Sequence, residues 1–237
     1  MRVGIHNSRH GRRKPALINR WLLILLIGLT CFGNLPAATE PPLHLVIDAT
    51  ENLVNQLKTN GDAIGSNPRL AFELANEDII PLIDFPTIAR SVLGHHWRHA
   101  SQEHRNDFIN NFRTFIINLY TSAMVTYSQE IVTTADSFRF SSRGWRLGDT
   151  RATVVMEFKL KGTAPVKVGY NMHWKGNTWK VYDVHVLGIS VVSLYRKNFD
   201  AEIRRHGLAG LLKRLAAKNR TGTFSAFIDN SNFKTDR

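Results

Sequence analysis

The 237-residue sequence contains a single cysteine, Cys31, so an intramolecular disulfide is excluded. Internal repeats and low-complexity runs are also missing. Hydrophobic residues make up 43% of the chain and charged residues 21%, which excludes a disordered chain, a collagen-like fibre and a multi-span membrane protein. A hydrophobic core must therefore hold the fold, and about 200 residues are enough to build one.

Acidic residues are absent from the first 38 positions, which contain six basic ones and contribute half of the net charge of +12. An apolar run of 13 residues, 21–33, follows the basic stretch, and small residues follow at Ala37 and Ala38. This order is typical of a secretory signal peptide, so we expect residues 1–38 to be one. The alternative is an uncleaved membrane anchor, because residues 21–39 carry no charge. A lipoprotein is disfavoured because Gly28 stands where lipid attachment to Cys31 would need an apolar residue.

After the expected signal peptide, the spacing of apolar residues changes from helical to strand-like and then returns to helical. Three- and four-residue steps predict helices over 41–61, 68–80, 85–93, 101–127, 190–205 and 208–218. Alternation predicts strands over 131–140, 154–160, 166–174 and 179–186, with a tight turn at Gly176 and Asn177. We therefore expect an α+β fold, in which a curved antiparallel sheet of about four strands is covered on one face by helices.

Histidines cluster at His95, His96 and His99, and imidazole is a common zinc ligand. His95 and His99 would share a helix face, but the segment lies between Gly94 and the N-terminus of the long helix and reads as a connecting turn. Nearby arginines such as Arg98 would also repel a cation. We expect a solvated basic loop here, no metal site and no cofactor.

Two further polar groups have weak functional interpretations. Ser190, Asp183 and His185 are close in sequence, but no strained G-x-S-x-G turn presents a nucleophile, and we expect no catalytic residue. Four arginines surround Trp145 between positions 139 and 151, which is compatible with stacking on bases or with contact to an anionic lipid surface. A secreted protein seldom meets nucleic acid, so we expect a solvated hairpin loop and no nucleic-acid partner.

Large apolar side chains on the long helix and on one sheet face form the last candidate feature. On the helix, Phe108, Phe112, Phe115 and Leu119 share a face, and Ile109, Ile116, Tyr120 and Tyr127 widen it beyond a narrow stripe. Composition favours an ordinary packed core between the two layers. A cavity at the same place would have the same sequence pattern, so the residues alone leave both alternatives open.

Several segments, taken in order, resemble the MlaC family of periplasmic phospholipid carriers, also called the toluene-tolerance family. The matching segments are VLGHHWR at 92–98, the helix at 108–120, WKVYDV at 179–184 and GISVVSLYR at 188–196. No single motif is specific by itself. Their order and spacing carry the resemblance, which covers the chain from about Pro41 to about Lys218.

The resemblance implies a periplasmic carrier that catalyses no reaction and maintains outer-membrane lipid asymmetry. Such a protein holds phospholipid acyl chains in an apolar cavity between sheet and helices and leaves the headgroup near solvent. Its partners would be an outer-membrane lipoprotein complex and an inner-membrane ABC transporter complex with MCE domains. Residues 39–220 would form the lipid-binding domain, and 221–237 a flexible C-terminal tail.

Such a carrier needs an enclosed apolar volume, because exposing two acyl chains of about 30 methylenes to water costs roughly 24 kcal/mol. The interface of helix and sheet is the place in the sequence with enough apolar residues, and flexible methionines there would suit variable chains. The predicted lipid-binding residues are Phe108, Phe112, Phe115, Val154, Met156, Val168, Tyr170 and Met172.

Two alternatives remain beside the carrier. Helix-plus-curved-sheet folds also include small isomerases and hydratases, for which Asp183 and Tyr182 are the available acid–base groups. A weaker alternative is a module that binds a partner protein through the aromatic residues of the tail.

Overall fold

A computed structural model describes residues 40–159 and 164–221. The expected signal peptide, the end of the strand predicted over 154–160 and positions 222–237 of the expected tail lie outside these residues. Within the described part of the chain, no helix combines the length and the apolar character that a membrane span requires.

Among the described residues, one block of strands lies between a series of helices and a last long helix. The long helices are α1 (Pro42–Ser66), α5 (Gln102–Thr134) and α6 (Val191–Thr221), and the short ones are α2 (Pro68–Leu74), α3 (Phe85–Leu93) and α4 (His96–His99). A π-helical turn, Ala75–Ile79, and a 3-10 turn, Ile80–Leu82, join α2 to α3. Gly207 adopts φ 68° and ψ 170° within α6, so the chain bends where two separate helices were predicted.

The strands form one antiparallel sheet in sequence order. They are β1 (Arg139–Arg143), β2 (Arg151–Phe158), β3 (Val166–Lys175), β4 (Thr178–Val186) and the short β5 (Ile189–Ser190). Gly176 and Asn177, with φ of 59° and 61°, make the predicted tight turn between β3 and β4, as a type I′ turn requires. The α+β architecture is confirmed, with five strands in place of about four.

The strand predicted over 131–140 is wrong over residues 131–138, and only Arg139 and Phe140 lie in a strand. Helix α5 continues to Thr134, with a kink at Tyr127, and β1 begins only at Arg139. The β-branched run at 131–134 favours a strand locally, but the hydroxyls of Thr133 and Thr134 donate to carbonyls four residues earlier, at 2.8 and 2.6 Å. Tertiary packing of the helix outweighs the local preference.

The first half of α5 lies in a solid core with α3 and α6. Phe112 is buried, and its ring centroid lies 5.5 Å from that of Phe108, 5.6 Å from Tyr195 and 5.9 Å from Phe199. Edge-to-face and stacked rings at these distances contribute about 0.5–1.5 kcal/mol per pair beyond their burial. This part of the molecule is therefore densely packed.

Asp84 connects this helical core to the sheet. It caps α3, since its carboxylate accepts from the backbone N–H of Thr87 at 3.2 Å. The same carboxylate lies 2.9 Å from His173 Nε2 and 2.6 Å from Lys175 Nζ, both on β3. Its backbone N–H donates to the carbonyl of Val181 on β4 at 2.9 Å. One buried acid thus sets the position of α3 against two strands.

Candidate functional site

A cavity of about 990 Å³ lies between the sheet and the helices that cover it. Four parts of the fold contribute its walls: the first half of α1, the turns before α3, the second half of α5, and the inward face of the sheet. From the helices and turns it is lined by Leu45, Val46, Ala49, Thr50, Leu53, Ile79, Ile80, Leu82, Ile83, Ile116, Ile117, Tyr120, Met124, Tyr127, Glu130, Ile131, Thr133 and Thr134. From the sheet side it is lined by Phe138, Met156, Phe158, Val168, Tyr170, Met172, Val181, Val184 and Val186.

The interior of this cavity carries little polarity. Burial raises the pKa of Tyr170 to about 12 and also raises that of Tyr120, so both hydroxyls stay neutral at physiological pH. The Tyr120 hydroxyl is buried and has no hydrogen-bond partner among the described residues. Aliphatic side chains and methionines provide most of the remaining surface. Such a lining favours a hydrocarbon over water or a charged ligand.

The cavity reaches the surface along the second half of α5. Tyr127, Glu130 and Thr133 line it and are exposed, and they recur every three residues after the kink. Tyr127 is 56% exposed, although Met124, three residues earlier in the helix, is 2% exposed. The kink at Tyr127 therefore marks the change from a buried wall to an open rim.

Four of the eight predicted lipid-binding residues line this cavity, and all four are on the sheet. Met156 is on β2, and Val168, Tyr170 and Met172 are on β3. Strand alternation places them on one face, as the period-two pattern predicts. Pairing of Met156 with Val168 and of Val154 with Tyr170 sets the register of the two strands.

The other four predicted residues do not line the cavity. Val154 shares the sheet face, but it is fully buried in a cluster with Val46, Trp179 and Val181. Phe108, Phe112 and Phe115 pack against α3 and α6 in the solid core. The sequence reveals that this helix face is buried but not which neighbour buries it.

The cavity-facing side of α5 consists of residues outside the predicted lipid-binding set, although Met124 was expected, with Met156 and Met172, to suit variable acyl chains. Ile116, Tyr120 and Tyr127 were noted as widening the apolar face of the helix, and they line the cavity together with Ile117 and Met124. The broad apolar face of the helix indicated this second contact surface, because a helix with apolar residues on two sides must pack on two sides. No comparable sequence pattern indicated that α1 and the turns at 79–83 would line a cavity.

Asp183 and Ser190 form a helix cap and do not resemble a catalytic triad. The Ser190 hydroxyl donates to Asp183 Oδ2 at 2.7 Å and accepts from the backbone N–H of Ser193 at 3.0 Å. Asp183 Oδ1 accepts from the backbone N–H of Val192 at 3.1 Å. The serine proton therefore points to a carboxylate, and His185 lies 3.6 Å from that carboxylate. Neither Asp183 nor Tyr182 lines the cavity.

The histidine segment and the loop around Trp145 also differ from their sequence-based interpretations. The segment read as a connecting turn contains the short helix α4, with His95 as its N-cap residue. His95 and His96 lie beside Asp200 of α6, whereas the sequence had paired His95 with His99. In the β1–β2 hairpin loop, Trp145 is partly buried against the cluster around Val154, so its ring is not free to stack on a base.

Known proteins are similar to this chain in sequence. The family model for the MlaC protein matches residues 48–217. The toluene tolerance protein Ttg2D of Pseudomonas putida is 28% identical over 193 residues, which cover 81% of this chain and 85% of that protein. The intermembrane phospholipid transport system binding protein MlaC of Haemophilus influenzae is 23% identical over 203 residues, which cover 84% of this chain and 92% of that protein.

A solved structure has the same fold. It is a phospholipid-binding protein from Ralstonia solanacearum in complex with a phospholipid, 23% identical in sequence, with a TM-score of 0.63. The match covers 77% of this chain and 99% of that one. Since the family model also matches well over half of the sequence, the resemblance is confirmed, and the chain belongs to the MlaC protein family.

Proposed function

We propose that this protein is a periplasmic phospholipid carrier that holds the acyl chains of a lipid in the cavity between sheet and helices. One observation carries the proposal: a volume of about 990 Å³ is lined almost entirely by hydrocarbon side chains. The proposal includes no chemical reaction, and the acid–base groups considered for an enzyme, Asp183 and Tyr182, lie outside this volume.

The size and lining of the cavity argue against water as its content. A buried water molecule needs two to four polar partners. The interior offers few polar atoms, among them the hydroxyls of Tyr120 and Tyr170. Filling the space with acyl chains removes both the exposed lining and the exposed lipid from water.

The exposed rim determines how a lipid would be oriented. Acyl chains would lie among the buried methionines and valines, and the polar headgroup would remain at the edge formed by Tyr127, Glu130 and Thr133. The Tyr120 hydroxyl, which is buried and has no partner among the described residues, is available to donate to an ester oxygen of the lipid. The headgroup would then stay hydrated, so its desolvation would not oppose binding.

The cellular route is part of the same proposal. Family membership supports transfer between an outer-membrane lipoprotein complex and an inner-membrane ABC transporter complex with MCE domains, and the relative from Haemophilus influenzae is named for intermembrane phospholipid transport. The basic and apolar order of residues 1–38 supports export to the periplasm. The carrier would contribute in this way to outer-membrane lipid asymmetry.

A pair of matched substitutions on the sheet tests the proposal. Val168→Trp introduces a large side chain into the cavity, because Val168 lines it between Met156 and Val186. Val155→Trp makes the same change on the opposite face of β2, where the side chain is partly exposed and does not line the cavity. Native mass spectrometry of protein purified without added lipid measures how much of each variant carries phospholipid.

The expected result is a phospholipid adduct on the unsubstituted protein and on Val155→Trp, and at least a fivefold lower occupancy on Val168→Trp. Circular dichroism and thermal unfolding of both variants check that the fold persists. The proposal fails if the unsubstituted protein carries no phospholipid and takes up none from vesicles. It also fails if the folded Val168→Trp variant carries as much lipid as the control.

A further inference from the structure

We infer that His95, His96 and Asp200 form a binding site for a divalent transition-metal ion, zinc being the probe that tests it. The site lies where α4 meets α6, and none of its residues lines the lipid cavity. One potential ligand atom from each residue lies within 4.8 Å of the other two. Two imidazoles and one carboxylate are a common ligand set for zinc, with water completing a tetrahedron.

The two neighbouring imidazoles follow directly after the end of α3. Gly94 ends that helix with φ 55° and ψ −123°, a conformation that favours glycine. The chain then enters α4 through His95, whose φ of −67° and ψ of −28° are helical. The ring centroids of His95 and His96 lie 3.8 Å apart, so both rings lie on the side of α4 that faces Asp200.

The distances fit a metal after small side-chain rotations. Asp200 Oδ1 lies 2.8 Å from His96 Nε2 and 4.0 Å from His95 Nε2. Tetrahedral zinc with bonds of 2.0–2.1 Å places ligand atoms about 3.3 Å apart, a value between these two distances. The side chain of His96 is 18% exposed and that of Asp200 22%, whereas His95 is 70% exposed. Two ligands are therefore held in place and the third is free to close on an ion.

The carboxylate of Asp200 is oriented for this role by a second contact. Arg204 Nη2 lies 2.7 Å from Asp200 Oδ2, which leaves Oδ1 facing the imidazoles. A partner of this kind, bonded to a ligating group from outside the metal, fixes the direction of the ligand. One carboxylate offsets half of the charge of a divalent ion.

Cationic neighbours limit the affinity but do not block the site. Arg98, whose charge led the sequence analysis to expect no metal site, is exposed on α4, where solvent screens it. Arg204 contacts Asp200 Oδ2 and not Oδ1, and Arg196 packs its aliphatic part against Gly94 and donates to the carbonyl of Ser91. The sequence could not reveal this site, because its third ligand is 104 residues away from His96.

Zinc titration of the full chain, expressed without a histidine tag, tests the inference. Isothermal titration calorimetry should show a binding event of one equivalent that His95→Gln and Asp200→Asn each weaken at least tenfold. His95→Gln is the cleaner variant because His95 is the most exposed of the three residues. His99→Gln, an exposed histidine of the same helix outside the cluster, should change the affinity less than twofold.

Two outcomes overturn the inference. One is the lack of a one-equivalent event in the unsubstituted protein, and the other is zinc binding that His95→Gln leaves as tight as before. Lipid occupancy measured on the same samples is independent of both results, because the cavity and the metal site share no residue.

Discussion

Helix α5 passes through two regions of opposite character. Its first half presents Phe108, Phe112 and Phe115 to α3 and α6, where buried aromatic rings pack against one another. Its second half presents Tyr120, Met124 and Tyr127 to a volume of about 990 Å³ that side chains leave empty. Packing in the first region stabilises the fold. The second region lacks that packing stabilisation, and its open space is the basis of the proposed lipid binding.

The largest expected effect on stability is the difference between a phenylalanine-to-alanine substitution in the first region and one in the second. Phe112→Ala removes a ring that touches four others, and we expect a loss of about 4 kcal/mol in the free energy of unfolding. Phe158→Ala removes a partly buried, cavity-lining ring whose edge-to-face partner is Phe138, and we expect a loss of about 1 kcal/mol.

Urea unfolding of lipid-free protein measures both values. Equal losses for the two variants would contradict the distinction between a solid and a hollow region.

An intermediate effect is expected at Asp84, which links the two regions. Burial raises the pKa of Asp84, but hydrogen bonds from Lys175 and Thr87 outweigh it, and the pKa lies below its ordinary value of 3.8. Asp84→Asn should destabilise the protein by about 2 kcal/mol at pH 7, less than a fully buried pair, because Lys175 is half exposed.

The lowered pKa also fixes the direction of a pH dependence. A carboxyl whose pKa is lower in the folded than in the unfolded state stabilises the fold above its unfolded pKa, and this stabilisation disappears as the pH falls through the folded pKa. The unfolding free energy of the unsubstituted protein should therefore drop more steeply below about pH 5 than that of Asp84→Asn. Parallel curves would show that Asp84 does not connect the regions as described.

The smallest effects are expected from two glycines, with opposite signs. Gly207 bends α6 above the solid core with φ 68° and ψ 170°, a conformation almost restricted to glycine, and Gly207→Ala should cost about 1–2 kcal/mol. Gly61 lies inside α1, with open space where a methyl group would go, and Gly61→Ala should stabilise by about 0.5–1 kcal/mol. Thermal unfolding midpoints that move in the same direction would contradict the backbone description.

The two regions also differ in how much the sequence predicted of them. Strand alternation is a local property, and it placed Met156, Val168, Tyr170 and Met172 on the face that lines the cavity. Helical periodicity shows which faces of α5 are apolar, but the choice between α6 and the sheet as neighbour depends on contacts with residues about 80 positions later in the chain. The cavity exists because the helices and the sheet are held apart, and no local sequence pattern encodes the distance between them.

The central claim is that acyl chains enter the space at the second half of α5, and methionine methyl groups report on it directly. Met124, Met156 and Met172 all line the cavity, whereas Leu211 lies in the solid core. In NMR spectra of protein labelled at methionine and leucine methyl groups, a phospholipid with a nitroxide near the end of one acyl chain should broaden the three methionine signals and leave Leu211 sharp. A bound lipid that leaves those methionine signals sharp would contradict the account.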